Sequence, residues 1–281
     1  MTPAEYKIFA DGLAARAGVE NGLHEYYLQH RGRLWQTAGH FGLWNLRGKK
    51  VLEIGPFFSY LPFALKEQGN DVCVVEGDDP AVYPLKPLYE KAGIGFTICD
   101  LFENFGAPPP EKHRLPFADG QFDVVSCWET MEHFNFNPVG FLRDLGRILK
   151  PGGRVFLTVP NMAELENRLK LLCGKSVGAP VENYNLYYNY SAAGRFLGFH
   201  WREYVLAEMD YLLRTQNFSI VSKKHLLTFQ NYPHLSPAKK IRRLGAKICF
   251  AAVPSTGNVC AIIAEKPAAE TALKMSCNPK S

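Results

Sequence analysis

The stretch VLEIGPFFSY, Val51 to Tyr60, decides the fold. It opens with three aliphatic residues around one acid, the composition of a short strand buried in a sheet. Gly55 then supplies a permissive backbone for a sharp turn. A strand that breaks at a glycine and runs into a helix is the usual cradle of a nucleotide-like ligand. Here the glycine run stops at once, because Pro56, Phe57 and Phe58 follow. Whether the turn still holds a ligand must be judged from the rest of the chain.

Outward from this stretch, β-rich and helical runs alternate. KVLEIG leads to a helix from about Leu61, DVCVVEG to a helix ending near Lys91, then GFTICD, FDVVSCW, a helix from about Pro138 to Leu149, and RVFLTVP. Such alternation predicts an α/β fold with a parallel sheet covered on both faces. In LGRILKPGGRVFLTVP, Lys150 is expected at the negative pole of a helix, and Pro151, Gly152 and Gly153 turn the chain into a buried strand. Residues 3–46 have apolar and aromatic residues spaced in threes and fours, as in EYYLQHRGRLWQTAGHF, which predicts a helical cap. REYVLAEMDYLLRTQ is an amphipathic helix, and FSIVSKKHLLTF and NVCAIIAEKP are two closing strands.

Regular alternation lapses between Met162 and Trp201, which is expected to be an inserted lid. Its tyrosines, Tyr184, Tyr187, Tyr188 and Tyr190, either wall a pocket or fasten the lid to the core. The expected organisation is therefore an N-terminal helical cap over 1–48, one domain over 49–266 with its lid at about 162–201, and a disordered tail over 267–281.

Composition narrows the function classes. The net charge of +5 is too weak to argue for nucleic acid unless it is clustered. No apolar run reaches the roughly 18 residues of a membrane-spanning helix, and the N-terminus lacks the pattern of a secretory signal. The seven cysteines form no CxxC pair, and four of them lie within strand-like runs. Buried reduced thiols and a cytoplasmic location are expected.

Ligands of open α/β sheets bind outside the carboxyl ends of the strands. The first strand ends in Glu53, Gly55 and Phe57, the second in Glu76 and Gly77, the third in Asp100 and Leu101, and the fourth in Trp128 and Glu129. An acid after the second strand can accept both ribose hydroxyls of an adenosine, and one after the third can accept from an adenine amino group. A lone carboxylate is usually a solvated loop residue. Acids at three successive strand ends are harder to explain that way.

The order LEIG, VVEGDDP, CD, LPFADGQFDVVSCWETMEHF and LGRILKPGGRVFLTVPN resembles the class I S-adenosylmethionine-dependent methyltransferases. The resemblance implies a Rossmann-like seven-stranded sheet and S-adenosylmethionine as cofactor. It places Glu53 and Gly55 in the first motif, Glu76 at the ribose and Asp100 at the adenine. The chain departs from the family at Phe57 and Ser59, where glycines are usual. Phe57 is expected to fit only with a negative φ, its ring turned away or laid on the cofactor. A dinucleotide dehydrogenase fits less well, since its GxGxxG spacing meets Phe57 and Tyr60.

Glu129-Thr-Met-Glu132-His133 follows the fourth strand. In a helix these two carboxylates and the imidazole would share a face. The segment is similar to ExxEH patterns of ubiquinone-pathway O-methyltransferases and small-RNA 2′-O-methyltransferases, where they bind a divalent metal. His200 in GFHWREY matches a further histidine of the latter. The resemblance implies a Mg²⁺ or Mn²⁺ site at Glu129, Glu132, His133 and His200. Two alternatives stay open: His133 as a metal-free general base, and His133 as a structural hydrogen-bonding residue.

The expected reaction is methylation of a hydroxyl on a small-molecule acceptor. The lid resembles bacterial methyltransferases of glycan and natural-product biosynthesis, which implies a saccharide or polyol. RNA 2′-O-methylation and a non-catalytic partner role are the rivals. Lys239, Lys240, Arg242, Arg243 and Lys247 share a helical run with Ile241, Leu244 and Ile248. Residues 236–250 are expected to be a solvated helix face, a site for a phosphorylated substrate, or a peripheral contact with anionic membrane.

Overall fold

The computed structural model describes residues 2–17, 22–78, 80–106, 114–178, 199–230 and 235–268. Seven strands form one sheet: β1 (Lys50–Ile54), β2 (Asp71–Glu76), β3 (Gly95–Ile98), β4 (Phe122–Trp128), β5 (Leu149–Pro160), β6 (Ser219–Leu226) and β7 (Val259–Glu265). Their spatial order is β3-β2-β1-β4-β5-β7-β6. The first five strands are parallel, as the alternation predicts. The closing pair corrects that expectation for the whole sheet, because β7 inserts antiparallel between β5 and β6.

Among the described residues the α-helices are α1 (Pro3–Ala17), α2 (Gly22–His40), α3 (Leu61–Glu67), α4 (Lys86–Lys91), α5 (Leu101–Phe105), α6 (Val139–Ile148), α7 (Leu165–Leu172), α8 (Leu206–Thr215) and α9 (Pro237–Ala252). Strand residues alternate between two cores. Leu52, Ile54, Val125 and Cys127 face one cluster with Leu142, Leu145 and Leu213. Val51, Val72, Val74 and Val124 face the other, which also holds Tyr6 and Ala10 of α1 and Leu34 and Ala38 of α2. The N-terminal helices thus share a core with the sheet. Tyr6 donates its hydroxyl to the carbonyl of Ser59, fastening α1 to the turn after β1.

Two quoted motifs prove to be one clamp. Arg147 of α6 donates from Nε to Asp144 at 2.5 Å, and from its two Nη groups to the carbonyls of Phe117 at 2.7 Å and Leu115 at 3.0 Å. Asp144 also accepts from Leu115 N at 2.6 Å. This ties LPFADGQ to LGRILKPGG and sets where β4 begins. Lys150 is a correction: α6 ends at Ile148, and the Lys150 ammonium, already in β5, pairs with Asp123 at 2.9 Å.

The chain on either side of the expected lid is tied together. Asn161 and Tyr204 form an isolated parallel bridge, and Met162 N donates to Tyr204 O at 3.0 Å. The four tyrosines of the expected lid, and most of the expected tail, lie outside the described residues. The described cysteines are free thiols; Cys99, Cys127 and Cys260 are buried as expected, Cys73 and Cys249 are half-buried, and Cys173 is exposed, which corrects the expectation of buried thiols there. No helix among the described residues is long and apolar enough to cross a membrane.

Candidate active site

The strand order reverses between β1 and β4, which opens a crevice at their carboxyl ends. A cavity of about 770 Å³ lies there. It is lined by every residue singled out from the sequence as binding cofactor: Glu53, Gly55, Phe57, Glu76, Gly77, Asp100, Leu101 and Trp128. Glu129, Glu132, His133 and His200 line it too.

The turn after β1 answers the question raised by its missing glycines. Gly55 has φ +63°, and an added Cβ would come within 3.0 Å of Thr130 Oγ1. That position requires glycine for both reasons. Phe57 corrects the expectation of a negative φ, because its φ is +48°. The left-handed conformation that glycine would adopt is kept, and phenylalanine occupies it. Two contacts hold it there. Its N–H donates to Glu76 Oε1 at 2.7 Å, and its ring meets Phe58 edge-on at 4.8 Å. Tyr60, the residue just before α3, is left-handed as well at φ +54°.

Glu53 is buried, and its Oε1 accepts from Ser59 Oγ at 3.5 Å. Its Oε2 has no hydrogen-bond partner among the described residues. Burial pushes this carboxyl up to about 8, with Glu76 adding repulsion. Asp100 caps α5, accepting from Glu103 N at 3.0 Å. Gly77 lines the cavity with nothing within 4 Å of an added Cβ, so the fold itself does not demand glycine there. Trp128 is buried, and its indole Nε1 has no partner among the described residues.

The ExxEH segment is not the helix its spacing suggests. Glu129 sits at φ +51°, and only Met131–His133 turn, as a single 3₁₀ turn. Glu129 points instead to α2, accepting from Arg33 Nη1 at 2.9 Å, and its Oε1 has no partner among the described residues. Glu132, His133 and His200 do come together, with one ligand atom of each within 4.8 Å of the others. Backbone bonds bring His200 in: Trp201 N donates to Glu132 O at 2.8 Å.

Both imidazoles are oriented by their Nδ1 atoms. His133 Nδ1 lies 3.1 Å from Phe199 O, which as a carbonyl can only accept, so this nitrogen carries the proton. His200 Nδ1 lies 3.1 Å from Glu203 Oε1, which favours the same tautomer. The Nε2 lone pairs are left for a proton or a metal. Burial, with His200 beside it, lowers His133 to about 4, so the ring is neutral. Burial and repulsion from Glu129 raise Glu132 well above the usual carboxylate range. Its Oε2 has no partner among the described residues. Two imidazoles with oriented Nδ1 atoms, beside a buried carboxyl, make a donor set that fits a divalent ion.

Sequence reasoning missed the contribution of α2. His30, Arg33, Leu34 and Thr37 line the cavity. Their helical spacing gives only a face, and nothing local says that the face meets the strand ends. Asp78 and Glu164 line it as well. Among the described lining residues, seven acidic side chains (Glu53, Glu76, Asp78, Asp100, Glu129, Glu132 and Glu164) face a single guanidinium, Arg33.

Such a crevice, at the switch point of the sheet and rich in acidic residues, lies where open α/β sheets bind their ligands. Comparison with known proteins narrows the class. A family described as a methyltransferase domain matches residues 27–223. A ubiquinone biosynthesis O-methyltransferase of Pseudomonas aeruginosa is 35% identical over 119 residues, which cover 42% of this chain and 47% of the relative. The chain thus spans about half the length of the curated relatives it matches. Two solved structures share the fold at low identity. A chain of the complex between a methyltransferase activator and a methyltransferase of Haloferax volcanii has a TM-score of 0.56 and 17% identity, over 85% of this chain and 92% of its own. An S-adenosylmethionine-dependent methyltransferase of Mesorhizobium loti has a TM-score of 0.51 and 14% identity, over 78% and 91%. The chain belongs to the methyltransferase-domain family and has the class I S-adenosylmethionine-dependent methyltransferase fold.

Proposed function

We propose that the chain transfers the methyl group of S-adenosylmethionine to a hydroxyl of a small, hydroxyl-rich acceptor such as a saccharide or polyol. The observation that carries this is the lining of the crevice, where seven Asp and Glu side chains face one guanidinium; burial raises Glu53, Glu132 and Glu164, so a cationic ligand would draw these three into the charged form. That field favours a ligand bearing a sulfonium and an ammonium, and opposes the phosphates of a dinucleotide or an RNA strand. Glu76 and Asp100 would hold the ribose and adenine, and Glu53 keeps one oxygen for a ligand donor.

The second half of the crevice supports an oxygen acceptor. A hydroxyl must lose its proton as the methyl arrives. Glu132, His133 and His200 would hold a divalent ion, whose chemistry is to acidify and orient a coordinated hydroxyl. His133 Nε2 faces Glu132 Oε1 at 3.9 Å, so one turn sets both groups. Arg33 holds one oxygen of Glu129, leaving the other for an acceptor hydroxyl. The names of the curated relatives, O-methyltransferases, agree with oxygen as the acceptor atom.

The test is calorimetric titration of S-adenosylhomocysteine, followed by transfer of labelled methyl to a panel of sugars, polyols and catechols with and without a chelator. Micromolar binding and a labelled ether are expected. Absence of binding would remove the cofactor assignment. Binding with transfer only to nitrogen would remove the hydroxyl assignment.

A further inference from the structure

The helix α9 is built the wrong way round for a solvated surface helix. Its half-buried residues, Arg243, Ala246, Cys249 and Phe250, define the side turned to the body. At 100° per residue, Ile241, Leu244 and Ile248 fall on the opposite side. They are the outermost stripe, with exposures of 71%, 59% and 62%. A solvated helix puts charge at that position. Here Lys240 and Lys247 flank it, and the helix as a whole carries Lys239, Lys240, Arg242, Arg243 and Lys247 and no acid. No residue of α9 is buried.

The helix is nonetheless fixed in place. Ser236 caps it, accepting from Lys239 N at 3.3 Å. Arg243 lies over the Phe229 ring at 5.0 Å and donates to the carbonyl of Gln230. Arg242 reaches Glu166 of α7 at 3.5 Å. That neighbour also exposes apolar residues, Leu169, Leu171 and Leu172, the last at 83%. Both elements adjoin the crevice, since Glu164 just before α7 and Gln230 line it.

We propose that α9, with the leucines of α7 beside it, is a docking surface for an anionic lipid bilayer. The occupant follows from the order of the groups. Nucleic acid would need the cations outermost. A second copy would set five cations against five. A bilayer takes an apolar stripe into its acyl boundary while flanking lysines and arginines meet anionic headgroups, and it needs no complementary pocket. The inference does not depend on methyl transfer, but it would place the crevice close to the membrane surface.

The full chain should be sedimented with vesicles of phosphatidylcholine alone and of phosphatidylcholine with phosphatidylglycerol. We expect at least about tenfold more binding to the anionic vesicles, weakening as salt rises. Leu244→Glu with Ile248→Glu should abolish it at low salt, while S-adenosylhomocysteine binding stays as in the unchanged protein. Leu244→Ser with Ile248→Ser, which adds no charge, should also reduce it and decides the matter should the glutamate pair misfold. Lys240→Ala with Lys247→Ala should lower it about tenfold. The proposal is overturned by equal binding to both vesicles, by serine variants that bind as well as the unchanged protein, by retention on RNA instead of vesicles, or by a dimer that the glutamate variants dissociate.

Discussion

Glu53→Gln is expected to make the ligand-free protein more stable while weakening its hold on cofactor. Burial lifts the Glu53 carboxyl from 4.5 to about 8, with Glu76 adding to it. Between those values the folded chain keeps a proton that the unfolded chain has released. Stability is therefore lost as pH rises through that window and levels off above it. The part of this gap crossed by pH 7 would cost the fold about 3 kcal/mol, at roughly 1.4 kcal/mol per pH unit. Water entering the crevice reduces this, so a net cost of about 1–2 kcal/mol is expected. Glutamine keeps the shape and removes the titration. Thermal melts of the ligand-free protein should show the variant higher by about 5 °C near pH 8 and equal near pH 4.5. Affinity for S-adenosylhomocysteine should fall about tenfold, through loss of a charge-assisted bond at the unpartnered oxygen. A variant that melts with or below the parent at every pH would refute the reasoning, since Glu53 would then be a satisfied structural acid.

Glu76→Ala should weaken S-adenosylhomocysteine binding by about 1–3 kcal/mol in calorimetry, and unchanged affinity would end the ribose assignment. A chelator should silence methyl transfer and Mg²⁺ or Mn²⁺ restore it, while His200→Ala should abolish transfer and leave S-adenosylhomocysteine binding within about threefold. Full activity of that variant would make the histidine pair structural. Arg147→Ala should lower stability to denaturant by about 3 kcal/mol, because Asp144 is left buried without its partner. A loss below about 0.5 kcal/mol would show that Leu115 N alone satisfies Asp144.

Much of the fold was legible because local chemistry and global topology agree. VLEI, VCVVE and VVSCW are continuous apolar runs, as strands covered on both faces must be, and each ends in an acid or turn that the sheet places at one edge. Glu53, Glu76 and Asp100 could be read as a set because parallel strands bring their ends together. The ExxEH segment was legible in content and not in shape. Its residues do meet, but through a left-handed Glu129 and the bonds from Trp201 and Arg202 to Glu132 O, which no spacing rule encodes. Arg33 was not legible at all. Its partner Glu129 lies 96 positions away, and such a pairing follows only from where α2 lands. The cations and apolar residues of α9 are plain in its sequence, but which side faces out is not.

The φ of Phe57 shows how loop and ligand site are coupled. A non-glycine residue held in the left-handed region costs about 1–3 kcal/mol, and it persists only where neighbours over-determine it. Four such residues occur among those described, and Phe57, Tyr60 and Glu129 all flank the ends of β1 and β4. Phe57 is held by Glu76, the acid assigned to the cofactor. One carboxylate would thus fix the turn and bind the ligand. Replacement by alanine should remove both functions, and Glu76→Gln should separate them, because its amide oxygen can still accept from Phe57 N. The glutamine variant is expected to lose about 1 kcal/mol of S-adenosylhomocysteine affinity and the alanine variant about 3. Equal losses would mean that the turn holds without Glu76, and that the rings of Phe57 and Phe58 suffice to keep the backbone left-handed where the family usually has glycine.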